Sequence, residues 1–242
     1  LFSLAIGAGL AWSDISFAYG VAALISALGV VLATRAIGRT IATAEQKTGP
    51  ASSARGWGIL DQRSFSALFA TVFLDTMVQA GVLVFIAFLM IAKGFTVGTA
   101  TFATVVLLVG GIFGKAGCGY LADRMGVRPA YGLIQILTAV GIVLLVMAPG
   151  WTAFAILFPL GAVTQGSTSI TYGFVADLVH PDRMARGYAL MYGASSLSAA
   201  AGPFAFGVIA DGAGIETAIL AMAVMSLTAI PPLYMMAKPK PA

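Results

Sequence analysis

The stretch GYLADRMG (residues 119–126) has a counterpart in GVIADGAG (residues 207–214), and both read G-x-x-A-D-x-x-G. Gly114 also answers Gly202. Five identities (Gly114/Gly202, Gly119/Gly207, Ala122/Ala210, Asp123/Asp211 and Gly126/Gly214) therefore share one offset of 88 residues. Chance matching of abundant Gly and Ala competes with an internal repeat as the explanation. The copies differ in charge: the first carries Arg124 and is followed by Arg128, whereas the second holds no basic residue. The fold must explain that asymmetry.

Composition names the solvent. Of 242 residues, 60% are hydrophobic and 9% charged, with a mean hydropathy of +0.98, against about 25% charged in a soluble domain. Such a chain cannot clothe its surface in polar groups and is built for a lipid bilayer. The pI of about 9.4 does not indicate nucleic acid, because the basic residues never cluster densely and alternate with long apolar runs. The single cysteine, Cys118, leaves no partner for an internal disulfide. Residues 1–12 are apolar from the first residue and lack the basic opening of a signal peptide. They read as the tail of a spanning helix whose start lies upstream.

A spanning helix takes about 20 mostly apolar residues, and in hydrocarbon the backbone must bond to itself. The runs lack the period-two alternation of barrel strands. Six full spans are expected at roughly 15–34, 65–92, 97–121, 130–148, 151–175 and 189–210, followed by a seventh at 217–237. Pro129 opens one helix in its first turn, where a missing N–H costs nothing. APGW (148–151) and DGAG (211–214) read as tight turns. Residues 34–64 are polar and rich in Ala, Gly and Ser. They read as a linker with room for a short interfacial helix around 57–60.

Lysine and arginine orient the spans. With the linker in the cytoplasm, the cytoplasmic groups are Arg35, Arg39, Lys47, Arg55, Arg63, Lys115, Arg124, Arg128, Arg183, Arg186, Lys238 and Lys240, and only Lys93 falls outside. The charge asymmetry then follows. GYLADRMG ends a helix descending to the cytoplasm, GVIADGAG ends one ascending, and only the inner copy keeps its arginines. Opposite topology in matched segments is the mark of inverted repeats in a transporter half. The expected fold is an all-α polytopic membrane protein: a six-helix transporter half made of two inverted three-helix repeats (65–148 and 151–237), preceded by one full helix and part of another.

The motif Gly119-x-x-x-Asp123-Arg124-x-Gly126-x-Arg128 resembles the loop signature G-x-x-x-D-R-x-G-R-R of the major facilitator superfamily, with Val127 and Pro129 departing from its basic pattern as in the weaker second-half copy. GPFAFGVIAD (202–211) is similar to that family's eleventh helix, and ADLVHPDRMARGYAL (176–190) to its junction between helices ten and eleven. The resemblance implies that residues 1–34 end an N-terminal half (partial helix five, then helix six). It makes 35–64 the central cytoplasmic linker, 65–237 the C-terminal six-helix half, and 238–242 a cytoplasmic tail. The expected activity is secondary transport of a small organic solute by alternating access across the cell membrane, coupled to protons, in the drug-efflux or organic-acid branch. The missing N-terminal helices of the same polypeptide would complete the cavity. A membrane-embedded enzyme and a non-transporting receptor are the competing classes.

Asp75 lies about ten residues into an apolar span, ~15 Å deep at 1.5 Å per residue, where a carboxylate costs roughly 2.5–3.5 kcal/mol. Gln79 shares its face at i+4. Asp75 reads as a proton carrier or substrate contact, with interhelical hydrogen bonding as the structural alternative. TQGSTSITYG (164–173) is the most polar stretch in any span, and Gln165, Thr168 and Tyr172 are its substrate-facing candidates. Lys115 either snorkels to the inner surface or binds an anion. Gln135, Thr138, Ser226 and Thr228 fall on the helices that the resemblance makes the lipid-facing outer pair. The resemblance makes Gly119, Asp123, Arg124, Gly126 and Arg128 a latch between the halves, with Asp177, Arg183 and Arg186 in the same ionic cluster. Gly202-Pro203 is expected to kink its helix. His180 reads as a solvated loop residue, and no cofactor, metal spacing or nucleophile motif is present in the sequence.

Overall fold

The computed structural model describes residues 56–235, together with seven helical residues between Phe17 and Gly29. The expected partial helix at 1–12, most of the span at 15–34, the linker up to residue 55 and the tail at 238–242 lie outside the described residues. So do Arg35, Arg39, Lys47, Arg55, Lys238 and Lys240. The chain divides into two compact units, Leu1–Ser53 and Ala54–Ala242, and the second holds the six-helix bundle.

Its helices are α1 (Gln62–Ala92), α2 (Val97–Met125), α3 (Val127–Met147), α4 (Thr152–Leu178), α5 (Met184–Ala213), α6 (Ile215–Thr228) and α7 (Ile230–Tyr234). Six segments are long and apolar enough to cross a membrane, the last formed by α6 and α7 together. That segment breaks at Ala229, just before Pro231 and Pro232 remove two backbone donors. Asp61 caps α1, accepting from the Arg63 amide at 3.1 Å and the Ser64 hydroxyl at 2.5 Å. The Ser64 bond is the main cause holding the Asp61 carboxyl below its ordinary range. The cap is therefore present above the ordinary carboxylate range and is lost as pH falls through the lowered value.

The two matched segments build the same turn. α2 ends on Gly126 (φ 83°, ψ 153°) and α5 on Gly214 (φ 90°, ψ 160°), and the next helix begins at once in both cases. Gly126 N–H bonds to Ala122 C=O and Gly214 N–H to Ala210 C=O, each at 2.9 Å. That backbone region is essentially closed to residues with a Cβ, so the final G of the motif is a steric requirement. Because the turn takes one residue, α2 runs to Met125 rather than ending near 121, and Asp123 and Arg124 sit in its last turn rather than in a loop. Likewise α5 begins at Met184, after a 3₁₀ turn at Pro181–Arg183, so Arg186 is helical. The short helix expected around Trp57–Leu60 is absent. Gly56 and Gly58 adopt positive φ, which no right-handed helix accommodates, and Ile59 instead forms an antiparallel bridge with Val179. Leu60 N–H donates to Leu178 C=O at 3.0 Å, and His180 N–H to Gly58 C=O at 2.8 Å.

Two backbone-close crossings organise the bundle. α2 packs on α4 through Gly110 and Gly114 on one side and Gly161 and Gly166 on the other. A Cβ on Gly114 would collide with the main chain of Ala162, and one on Gly161 with that of Leu107. α5 packs on α1 in the same manner. Gly202 faces the main chain of Met77, the Phe206 ring covers Gly81, and the Ser198 hydroxyl bonds the Phe73 carbonyl. Small residues at such crossings gain dispersion contacts that lipid does not replace. α5 continues through Gly202 and Pro203 as one helix; what Gly202 supplies is the close approach to α1.

The apolar interior forms two clusters along the bundle axis. One gathers Val82, Phe85, Leu107, Ile142, Leu157 and Met222; the other gathers Leu68, Val72, Tyr131, Ile134, Ile170 and Phe174. On α1, α3, α4 and α6 the residues between them are polar.

The glycine crossing gives a direct test. Gly114→Ala forces Cβ into the Ala162 main chain and should destabilise by about 1–3 kcal/mol through overpacking. Gly98→Ala, where nothing lies within 4 Å, should leave stability unchanged or slightly raised. Thermal midpoints in detergent compare the two. Equal midpoints would show that α2 and α4 do not cross at Gly114.

Candidate functional site

The polar layer is centred on Asp75, which is 3% exposed near the middle of α1. Its Oδ1 accepts from Gln135 Nε2 of α3 at 2.6 Å. Its Oδ2 accepts from Ser167 Oγ of α4 at 2.7 Å and from Gln79 Nε2 at 3.0 Å. Gln79 Nε2 also donates to Ser167 Oγ at 3.0 Å. The other end of Gln135 is fixed as well, since its Oε1 accepts from Ser226 Oγ of α6 at 2.7 Å. One carboxyl group thus ties four helices together, and each of its oxygens is bonded. A buried charge survives only with such partners. Ionised, the group accepts all three donors. Protonated, one oxygen becomes a donor and needs an acceptor, so the hydrogen bonds around it must rearrange; Ser167 Oγ, which also bonds the Thr164 carbonyl at 3.0 Å, is placed to receive it.

Gln135 and Ser226 depart from expectation. The sequence places them on outer, lipid-facing helices, but they are 1% and 0% exposed and point inward. Thr138 is also buried, whereas Thr228 is exposed and bonds its own helix at Met225 C=O. An outer helix still has an inner face, and an unpaired amide in hydrocarbon costs more than one turned toward a carboxyl group. Two glutamines in reach of a lone Asp were the signal available in the sequence. Only the packing of α3 on α1 says which glutamine reaches.

The remaining candidates lie elsewhere. Gln165, Thr168 and Tyr172 share a face of α4 at i, i+3 and i+7, roughly opposite the Ser167 face that meets Asp75. Gln165 touches α2 at Gly111, and with Leu108, Gly111, Ile112 and Lys115 it lines a cleft of about 270 Å³. Thr168 donates to its own helix at Gln165 C=O, 2.7 Å away. Tyr172 reaches α5, where its hydroxyl lies 2.8 Å from Ser195 Oγ. Its ring stacks with Tyr192 at 4.9 Å and Tyr188 at 6.4 Å between centroids. The sequence reading passed over Tyr188 and Tyr192. Their spacing of four puts them on one helical face, but only the approach of α4 makes them a stack.

The basic end of the bundle carries the loop-motif residues. Gly119 is half-buried and Asp123 exposed on α2, and the Arg124 guanidinium lies 5.0 Å over the Tyr120 ring. Arg128 is in the first turn of α3, with its Nε buried. Asp177 is exposed near the end of α4. Arg183 packs against Gly58, and Arg186 donates to Gly56 C=O at 2.9 Å. His180 pairs with Asp182 at 3.6 Å. At the opposite end, Lys93 donates to the Val146 and Ala148 carbonyls at 2.7 and 2.8 Å. There it satisfies orphan acceptors at the C-terminus of α3, where a cation also suits the helix dipole.

A family model described as Major Facilitator Superfamily matches residues 68–242. None of the curated proteins matches the chain.

The buried layer is open to a double-mutant cycle. Gln135→Leu strips Asp75 Oδ1 of its shortest bond and should cost about 1.5–3 kcal/mol, the range for a hydrogen bond to a charged group. Asp75→Leu combined with Gln135→Leu should cost clearly less than the two singles summed. Additive losses in thermal unfolding would mean that the pair is not coupled.

Proposed function

This chain belongs to the major facilitator superfamily. From that premise we propose that it is the C-terminal half of a proton-coupled carrier that moves a small organic solute by alternating access. Membership and six apolar helices make it a multi-pass membrane transporter protein. The coupling, the orientation and the division into halves are our reading. In it, residues 1–34 close the N-terminal half, 35–64 link the halves in the cytoplasm and 65–237 form the second half. The basic end of the bundle faces the cytoplasm, as the lysine and arginine count favours. Shared Gly126 and Gly214 turns support inverted repeats, as do the equivalent crossings of Gly114 on α4 and Gly202 on α1.

The observation that carries proton coupling is the shared carboxyl. Asp75 is bonded at once to α1, α3 and α4, and through Gln135 to α6. Taking up a proton there rearranges hydrogen bonds that join these helices, so protonation and helix packing depend on each other. Ser167 connects this layer to α4, whose other face carries Gln165 and Tyr172. Substrate on one face and proton on the other are thus joined through one helix. Asp123, Arg124 and Arg128, with Gly119 and Gly126 shaping the segment, form the latch against the other half, and Asp177, Arg183 and Arg186 complete that charged rim.

The test uses the full-length protein in proteoliposomes. Asp75→Asn should retain solute counterflow but lose accumulation driven by a pH gradient, while Asp75→Glu should keep both at reduced rate. Undiminished gradient-driven accumulation in Asp75→Asn would remove Asp75 from the coupling mechanism. Loss of counterflow in the parent protein would remove the carrier reading itself.

A further inference from the structure

We infer that the open face between α2 and α5 binds a planar aryl carboxylate, its anionic group at Lys115 and Gln165 and its ring on the Tyr172–Tyr192 stack. The inference rests on the carrier reading only for where the ligand goes afterwards; the binding chemistry is read from the side chains.

The two ends of this face are joined by α4. Gln165 borders α2 and Tyr172 borders α5, seven residues apart and so ~10 Å along the helix axis. Lys115 and Gln165 line one cleft. Among the described residues, neither the Lys115 ammonium nor the Gln165 amide has a hydrogen-bond or ion-pair partner. Lys115 and Gln165 each present N–H donors to one cleft, and a carboxylate supplies two acceptors. The cleft contains no acidic side chain. Asp75 accepts three bonds from its own network across α4, and Asp123 lies about two turns beyond Lys115 on α2. Within the cleft a cationic solute would meet Lys115 with no carboxylate to offset it.

The other end is aromatic. Tyr172 and Tyr192 lie 4.9 Å apart with planes 27° from parallel. The Tyr172 hydroxyl pairs with Ser195 Oγ and the Tyr188 hydroxyl donates to Tyr172 C=O, which holds the Tyr172 and Tyr188 rings in place. Tyr192, stacked on Tyr172, is 60% exposed. A stack anchored at Tyr172 with Tyr192 open suits a third ring. Lys115 lines the α2 side of the cleft, so the anionic and aromatic ends suit a ligand whose ring and carboxylate are separated by a short spacer.

Cinnamate is the probe, measured by thermal shift and calorimetry on the purified full-length protein in detergent. Hexanoate keeps the charge without the ring, cinnamamide keeps the ring without the charge, and cinnamylamine reverses the charge. Saturable cinnamate binding is expected, about tenfold tighter than hexanoate or cinnamamide, the size of effect one stacking or charge contact gives. Lys115→Gln and Tyr192→Ala should each lose about tenfold, whereas Lys115→Arg and Tyr192→Phe should stay near the parent value. These conservative variants separate lost contacts from lost folding. Equal or tighter binding of cinnamylamine, or unchanged cinnamate affinity in Lys115→Gln, overturns the inference. So does absence of cinnamate binding in a preparation that performs counterflow of some other solute, which leaves the carrier reading standing. Cinnamate binding that follows this variant pattern in a protein incapable of any counterflow supports the site and removes the carrier reading instead.

Discussion

A single carboxyl group between two apolar clusters sets the terms for this bundle. Asp75 sits where hydrocarbon surrounds the helices, and three side chains donate to it. The polar layer it creates crosses α1, α3, α4 and α6, with apolar residues above and below on each. The arrangement is costly to disturb from either side. Removing Gln135 leaves Oδ1 bare, and removing the acid leaves two amides and one hydroxyl without their acceptor. A layer of this kind fixes helix rotation far more narrowly than leucines do, because oil tolerates rotation and hydrogen bonds do not.

The crossings act on the same geometry from outside the layer. With Gly110, Gly114, Gly161 and Gly166 at the contact, α2 and α4 approach until main chain meets main chain. α4 is thereby held between the α2 backbone on one face and Asp75 on another. α4 carries both the proposed solute-facing groups and a donor to the carboxyl, and in our reading this shared helix links the two events.

Charge is managed at the ends. The basic residues around Arg124, Arg128, Arg183 and Arg186 occupy one end of the bundle, where Arg186 and the bridge between Ile59 and Val179 fasten residues 56–60 to the turn after α4. Among the described residues Lys93 is the basic group at the other end, and it is spoken for by the Val146 and Ala148 carbonyls. A lysine bonded in this way acts as a helix cap.

The sequence by itself determined the solvent, the helical class, the six spans among the described residues and the two turns. Those features depend on local quantities: the length of an apolar run, the spacing of Gly126 and Gly214, and the steric ban on a Cβ at their φ. It also isolated Asp75, since one carboxyl in an apolar span needs no partner to be noticed. What it could not give was partnership. Gln135 and Ser226 looked like stray polar groups on outer helices, and Tyr188 and Tyr192 looked like ordinary aromatics. Whether they face lipid, a carboxyl or another ring depends on how each helix is rotated against neighbours up to 92 residues away. The packing decided that, by bringing glycine backbones into contact and leaving the polar groups only one direction in which their hydrogen bonds could be made.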